Sequence, residues 1–502
     1  MNLKKNLIAN YAGVAWSSVI NIIFLPIYMH YLGPDGYGLI GFYTLISISL
    51  SCLDIGFGAV ATREAAGYLD AKDQRKYEIA TLLKSLEILF YAISIIAGVL
   101  VISFASLMVK YWLKVPEKMM IEAVWSIRFM GIAIAIQFPA SFYCGCLNGF
   151  QKQLGINLTN IIGYSIRGGG AILALWMISP SVEIFFAWQA IGSLGMLIVF
   201  RALYLQNIDV KSRNLKFSRQ SLMSVYQFLR GMGIITATSF LLTNLDKIIL
   251  STTLSLAAFG YYSLAWLLGN TVMGRLSGPV FNAYYPRIAQ LKEGGNTELM
   301  MKSYEQGCKA MSIIAVPFSL WLALYSHSIL LVWTKNNTLA DEAFGALSVI
   351  AIGTMINVFM QIPYAIQLAH YLTRIAILQN TIAIFFISPL TWYLATNYSL
   401  TIAALPWVII NVIGLFFVVP LIYKRLNLPG LKHWYGRVLI IPILYAGGTM
   451  LATKLFWFIF IGDGWFIFLL PISLAIGLIA TAYSLEAFSY IKLRKNLPKT
   501  MF

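Results

Sequence analysis

The residues of this chain with the most chemical potential are charges set inside long apolar runs. Arg167 stands near the middle of the run 154–178, beside Gly168, Gly169 and Gly170. Arg275 and Arg128 lie several residues inside the ends of the runs 257–282 and 123–148. Asp246 and Lys247 are neighbours on the run 225–252, and Asp54 is the isolated acid of the run 37–60. A charge at the centre of a bilayer costs about 2.5–3.5 kcal/mol on insertion scales, so such residues face a cavity, a partner or the interface. Arg167 is too deep to reach the interface easily. Its expected role is to face a cavity, with an ion pair to an acid such as Asp54 as the structural alternative. Arg275 and Arg128 can each extend toward an interface by snorkelling. Adjacent helical residues point about 100° apart, so Asp246 and Lys247 need not pair with each other. Lys84 and Glu87, three apart, read as a structural pair.

The excess is basic. Within the apolar runs Lys84, Arg128, Arg167, Arg230, Lys247, Arg275 and Lys454 oppose Asp54, Glu87 and Asp246. A cavity lined by cations favours an anion, and the planar fork of arginine suits phosphate or pyrophosphate. No Walker A sequence, H-E-x-x-H, G-x-S-x-G or pair of loop carboxylates is present. His30, His327, His370 and His433 fall near expected helix ends, where hydration or a place at the interface is the expected role rather than catalysis. Cys144 and Cys146 lack the wider ligand set of a zinc site. With Cys52 and Cys308 they read as small buried residues.

The elements that must position these side chains follow from composition. The 502 residues are 59% hydrophobic and only 11% charged, with a mean hydropathy of +0.76. An ordinary soluble domain carries roughly 25% charged residues, so this chain cannot cover itself in polar groups. In a bilayer every backbone group must be satisfied internally. The apolar runs are continuous rather than alternating, which selects helices over a barrel. Helices are expected at 7–32, 37–60, 79–105, 123–148, 154–178, 183–205, 225–252, 257–282, 308–333, 342–368, 374–396, 401–423, 437–460 and 464–490. Most reach the roughly 20 residues needed to cross the hydrocarbon. The first run is too long for a signal-peptide core and is expected to remain as a helix.

Charge orients this set. With the N-terminus inside, 25 of the 36 Lys and Arg residues fall in inner loops or tails and 4 in outer loops. That asymmetry places both termini in the cytoplasm. It also accounts for the net charge of +17 without nucleic acid, because the basic residues are scattered through short loops. No loop is long enough to form a domain, so function is expected among the helices.

An internal repeat sharpens the organisation. At an offset of 224 residues Gly36 and Tyr37 align with Gly260 and Tyr261, Leu32 with Leu256, and Arg63 with Arg287. The offset spans six expected helices, an even number, so the halves run in the same direction about an axis along the membrane normal. The expected division is a first lobe at 1–205, a cytoplasmic linker at 206–224, a second lobe at 225–423, and two added helices with a basic tail at 424–502.

The stretch from Tyr31 to Gly38 (YLGPDGYG), then Leu53 to Gly58 (LDIGFG) and Arg63–Glu64, resembles the start of a polysaccharide transport protein. Asn244 to Leu250 (NLDKIIL), Phe259 to Ser263 (FGYYS) and Tyr285 to Arg287 (YPR) resemble its second half. The order and spacing are similar to those of Wzx-type O-antigen flippases, in the superfamily of MATE exporters and the lipid II flippase, over nearly the whole chain. The resemblance implies an all-α polytopic membrane protein of about fourteen helices, with two MATE-like six-helix lobes plus two. It implies transfer of an undecaprenyl-pyrophosphate-linked repeat unit between leaflets of the bacterial inner membrane by alternating access, without enzymatic chemistry or a cofactor. A coupling H+ or Na+ is implied. So are membrane lipids, a polysaccharide polymerase and a chain-length regulator as partners. Carried onto this chain, the anionic substrate would meet Arg167, Arg275, Arg128 or Lys247, and Asp246 or Asp54 would couple the ion. A MATE-like antiporter of cationic drugs would prefer an acidic cavity, against the basic excess. A membrane polymerase would need a substantial outer loop, and the loops here are short.

Overall fold

A computed structural model describes residues 3–51, 54, 57–69, 71–208, 215–223, 225, 240–241, 243–370, 372–460 and 466–496. Every regular element among the described residues is helical; a lone bridge pairs Lys114 with Ser255. The stretch 226–239, with Arg230 and much of the expected seventh helix, lies outside the described residues. So do Cys52 and residues 209–214 of the expected linker.

The chain divides into two compact units, Met1–Gly260 and Tyr261–Phe502. The first contains α1 (Leu3–Ser51), α2 (Phe57–Leu69), α3 (Asp73–Leu107), α4 (Met120–Gly149), α5 (Gln153–Met177) and α6 (Val182–Gln206). A seventh helix, α7 (Leu256–Trp266), crosses the division. The second unit is built on α8 (Val272–Glu293), α9 (Thr297–Leu324), α10 (Ser326–Thr334), α11 (Asn337–Ala369) and α12 (Thr373–Asn397). Beyond these come α13 (Leu405–Ile413), α14 (Val419–Arg425), α15 (Ile441–Phe460) and α16 (Phe466–Asn496).

Most expected boundaries agree with these helices to within a few residues, and two departures stand out. The break expected between the first two runs is a kink inside α1. Gly33 leaves the helix at φ 67°, ψ −179° and Pro34 follows; the left-handed φ suits a glycine, and proline cannot donate back into the preceding turn. Within the run expected at 37–60, Asp54 accepts a 2.7 Å hydrogen bond from the Gly58 amide, as a short acidic side chain bound to nearby backbone does. The run expected at 308–333 is two helices, α9 and α10, parted at Tyr325.

Seven helical spans among the described residues are long and apolar enough to cross a membrane, from Asp73–Trp112 to Leu431–Ile459. Surfaces agree with that setting. Ile121 is 77% exposed and Phe385 74%, and large apolar side chains exposed across so many helices need a lipid neighbour rather than water. The protein is a multi-pass, all-helical membrane protein. α5 is absent from the seven. It carries Asn157, Thr159, Asn160, Ser165 and Arg167 within 25 residues, and that polarity marks it as a helix with neighbours to satisfy.

Each unit has its own core. In the first, Phe90 contacts Phe138 and Phe142, and Tyr143 contacts Tyr204, at centroid distances of 5.0–5.4 Å. In the second, Tyr304, Cys308, Met311, Phe359 and Trp434 are central to the packing. Glycine sets the closest helix approach in the first unit. A Cβ on Gly149 would lie 2.7 Å from the Ala65 side chain and 2.9 Å from the Ala66 amide nitrogen. At Gly145 the backbone carbonyl of α4 accepts a 3.0 Å hydrogen bond from the Thr62 hydroxyl of α2. The repeat-related segments also touch, with Gly38 against the Leu256 backbone and Gly260 against Pro34 and Gly38. The Gly149→Ala variant is expected to lose about 1–3 kcal/mol through overpacking against backbone. Gly195→Ala, where a Cβ meets nothing within 4 Å, is expected to be neutral or slightly stabilising. Thermal unfolding of the two purified variants checks the contrast.

Candidate functional site

Arg167 is built into the middle of α5 by three neighbouring contacts to consecutive backbone carbonyls. Trp188 Nε1 donates to Ile166 O at 3.0 Å, Gln189 Nε2 to Arg167 O at 3.4 Å, and Tyr28 OH to Gly168 O at 3.0 Å. Two of these donors come from α6 and one from α1. The glycines beside Arg167 make the approach possible. A Cβ on Gly168 would strike the Phe24 ring, and one on Gly170 would strike Trp188. On α6, Gly192 leaves room for the aliphatic stem of Arg167. The glycine run allows close helix approach without loosening the helix: α5 is continuous from Gln153 to Met177.

The guanidinium is held by a neutral partner. Arg167 Nε donates to Gln189 Oε1 at 2.9 Å. Gln189 therefore grips both the side chain and the backbone carbonyl of the same arginine. No carboxylate lies within 4 Å of Arg167 among the described residues. The alternative of an Arg167–Asp54 ion pair is not what forms. One of the five guanidinium N–H donors is committed to Gln189, and the Nη groups remain as a fork suited to two oxygens of one anion.

From Gln189 a polar chain runs deeper into the first unit. Ser193, one turn along α6, donates to Gln189 O at 2.6 Å. Gln137 of α4 donates from Nε2 to Ser193 Oγ at 3.1 Å and also to the Tyr43 hydroxyl. Tyr43 and Gln137 line a cavity of about 450 Å³, together with Thr44, Ser47, Ser141 and Asp54. Asp54 thus lines the same cavity that the chain beginning at Arg167 reaches through Gln137.

The other sequence candidates are distributed differently. Arg128 stacks its guanidinium over the Trp125 ring at 4.6 Å, a cation–π contact at the edge of a half-buried site. Arg275 is on an exposed face of α8. Lys247 does meet Asp246, at 3.3 Å, and also donates to Thr243 O at 3.0 Å. The lysine stem curls back by one turn, and its length overcomes the 100° between neighbouring Cβ directions. The Lys84–Glu87 pair forms as expected at 2.8 Å, and Tyr143 donates a 2.5 Å hydrogen bond to the buried Glu87. Arg437, the first residue of the run expected at 437–460, is buried. Cys146 and Cys308 are buried and Cys144 is half-buried, each outside any disulfide.

Charge counting missed Gln137, Gln189 and Ser193. Their signal was present as uncharged polar residues inside apolar runs, and Gln189 and Ser193 have the i, i+4 spacing of one helix face.

This architecture, long apolar helices in two compact units, defines a multi-pass helical membrane protein. The chain belongs to the polysaccharide biosynthesis protein family, whose pattern it matches over residues 3–292. It is 23% identical over 419 residues to a Shigella flexneri protein named as a candidate O-antigen transporter, covering 81% of this chain and 94% of that one. Its fold is similar to that of the lipid II flippase MurJ in an inward closed conformation, with a TM-score of 0.70 at 15% identity over 97% and 99% of the two chains. It is also similar to an inward-facing multidrug resistance MATE transporter, with a TM-score of 0.65 at 12% identity over 82% and 96%.

The clamp predicts a stability contrast. Gln189→Leu leaves a charged donor and a carbonyl without their partner, and a loss of about 2 kcal/mol is expected. Gln189→Glu restores the acceptor and adds an ion pair but cannot donate to the carbonyl, so its melting temperature should lie above that of Gln189→Leu. Thermal unfolding in detergent measures both; equal stability of Gln189→Leu and the wild type would show that the clamp carries no weight.

Proposed function

We propose that this protein is a flippase that carries an undecaprenyl-pyrophosphate-linked oligosaccharide repeat unit, of O-antigen or a related surface polysaccharide, across the bacterial cytoplasmic membrane. Transfer runs from the cytoplasmic to the outer leaflet by alternating access, with both chain termini in the cytoplasm. The observation that carries the reading is Arg167: a half-buried guanidinium, held by a neutral amide, with its Nη fork uncommitted among the described residues. Such a group is stabilised when an anion arrives and gains little from a cation. Pyrophosphate offers oxygens at the spacing of the fork. Family membership and the flippase-like fold support the same direction.

Arg128 and Arg275 are proposed as further contacts for the lipid phosphates or for acidic sugars. Lys247 is the weaker of the four candidates, because Asp246 already compensates its charge. Asp54 and Asp246 are the proposed coupling acids for H+ or Na+. The chain itself needs no bond-making chemistry. A polymerase and a chain-length regulator would act on the delivered unit. The rival reading, a MATE-like exporter of cations, conflicts with an uncompensated arginine in the first unit.

Arg167→Ala is expected to abolish surface polysaccharide at normal protein level. Gln189→Glu is expected to do so as well at normal protein level, by placing a permanent carboxylate beside the guanidinium. Immunoblots of surface polysaccharide and of tagged protein make both measurements. Wild-type polysaccharide in Arg167→Ala cells would remove the arginine from the substrate path. Cells lacking the protein should accumulate lipid-linked repeat units on the cytoplasmic leaflet; unpolymerised units on the outer leaflet would favour a polymerase instead.

A further inference from the structure

We infer that the second unit carries a binding seam for the uncharged sugar rings of the transported glycan, formed by the amides of Asn270, Asn357 and Gln361 and bordered by Trp407 and Tyr364. The inference rests on the transport reading for the identity of its ligand, and deepens it by separating sugar recognition from recognition of the phosphates.

The seam starts from spacing on α11. Thr354, Asn357 and Gln361 stand at i, i+3 and i+7 and so share one helix face, inside a span apolar enough to cross a membrane. Two segments meet that face. From α13, Trp407 Nε1 donates to Thr354 Oγ1 at 3.2 Å, and Asn411 Oδ1 accepts from Asn357 Nδ2 at 2.8 Å. From α8 and the turn before it, Ser277 Oγ accepts from Gln361 Nε2 at 3.2 Å, and Asn270 Nδ2 reaches Thr354 Oγ1 at 3.4 Å. Asn270 lies in a π-helical turn, Leu267–Thr271, and such turns recur at functional sites.

These amides are only half used. Asn411 Nδ2 donates to the Trp407 carbonyl, which can only accept. The Asn411 oxygen therefore faces Asn357, and the NH2 of Asn357 must face that oxygen. Asn357 Oδ1 is left over. Asn270 Oδ1 and Gln361 Oε1 likewise accept from no donor among the described residues, and each of the three amides keeps a second N–H. All three side chains are half-buried. Polar groups between membrane helices often serve as glue, and elsewhere in this unit they do. Ser312, Trp321 and Tyr325 each donate their one proton to a distant backbone carbonyl. The seam differs in the acceptors it leaves over. An amide oxygen without a donor is unfavourable against hydrocarbon, so the seam fronts water or a polar ligand.

The ligand class follows from the groups on offer. An amide presents a carbonyl acceptor beside an N–H donor, and two neighbouring sugar hydroxyls present the complement. Aromatic rings flank the amides. Trp407 meets Trp266 at 5.0 Å, and Tyr364, 43% exposed, stacks on Phe281 at 6.5 Å. The apolar C–H face of a sugar packs on such rings while its hydroxyls reach the amides. A phosphate would find no cation among these residues, and a cation no carboxylate. Gln361 follows Gln137 by 224 residues, the offset of the internal repeat. The first glutamine is tied to Tyr43 and Ser193 in the chain that leads to Arg167. Its counterpart sits among neutral groups.

The test compares two ligands on the purified full chain in detergent. One is bare undecaprenyl pyrophosphate; the other is the undecaprenyl-pyrophosphate-linked repeat unit extracted from cells that express this protein. The wild type should bind the glycan-bearing lipid about tenfold more tightly. Asn270→Ala and Gln361→Ala should each remove roughly three- to tenfold of that advantage and leave binding of the bare lipid unchanged. Asn270→Ala removes only one long contact, so its melting temperature should stay at the wild-type value. Arg167→Ala should weaken both lipids by the same factor. Equal affinity of the wild type for the two lipids, with both weakened in Arg167→Ala, would overturn the seam and leave the transport reading standing. Binding of neither lipid would overturn both. An undiminished preference for the glycan in Asn270→Ala and Gln361→Ala would show that the amides are glue, and would also overturn the proposal.

Discussion

A guanidinium inside a bilayer-embedded protein has to be held by hydrogen bonds, or the helix that carries it is expelled toward the interface. In this chain the requirement is met by one neutral residue, Gln189, which accepts from Arg167 Nε and donates to the Arg167 carbonyl. Much of the surrounding structure serves that grip. α6 must come close enough for Gln189 and Trp188 to reach adjacent carbonyls of α5, and α1 close enough for Tyr28 to reach the next. Gly168, Gly170 and Gly192 provide the space. The glycine run beside the arginine is thus a packing device, and the helix through it stays intact.

The choice of glutamine over a carboxylate has a chemical consequence. An acid at the same place would complete the ion pair and silence the arginine toward an incoming anion. An amide satisfies the geometry and leaves the charge available. Lys84 and Glu87 show the other solution: there a lysine, a buried glutamate and Tyr143 close a complete local network, as expected of a structural element. The contrast between the two arrangements, in the same unit, separates a group kept ready for a ligand from one used to hold helices together.

Asp54 joins two roles. Its Oδ1 accepts from the Gly58 amide, while its carboxylate also lines a cavity with Tyr43, Thr44, Ser47, Gln137 and Ser141.

Several features were determined by the sequence alone. Helix positions such as 154–178 and 183–205 were legible because each apolar run is contiguous and the bilayer admits few alternatives to helix. Arg167 and Asp54 stood out because charge is rare in such runs. The tertiary structure decided which polar groups meet. Nothing in the order of residues ties Gln137 to Ser193, 56 positions apart, or places Gln189 rather than Asp54 on Arg167. It also decided that Lys247 pairs with Asp246 and that Arg437 is buried. Periodicity and hydropathy specify where a helix runs because those energies are local to the chain and the solvent. Partners across helices depend on rotation and close packing, which glycines and side-chain volumes settle only when the bundle is assembled.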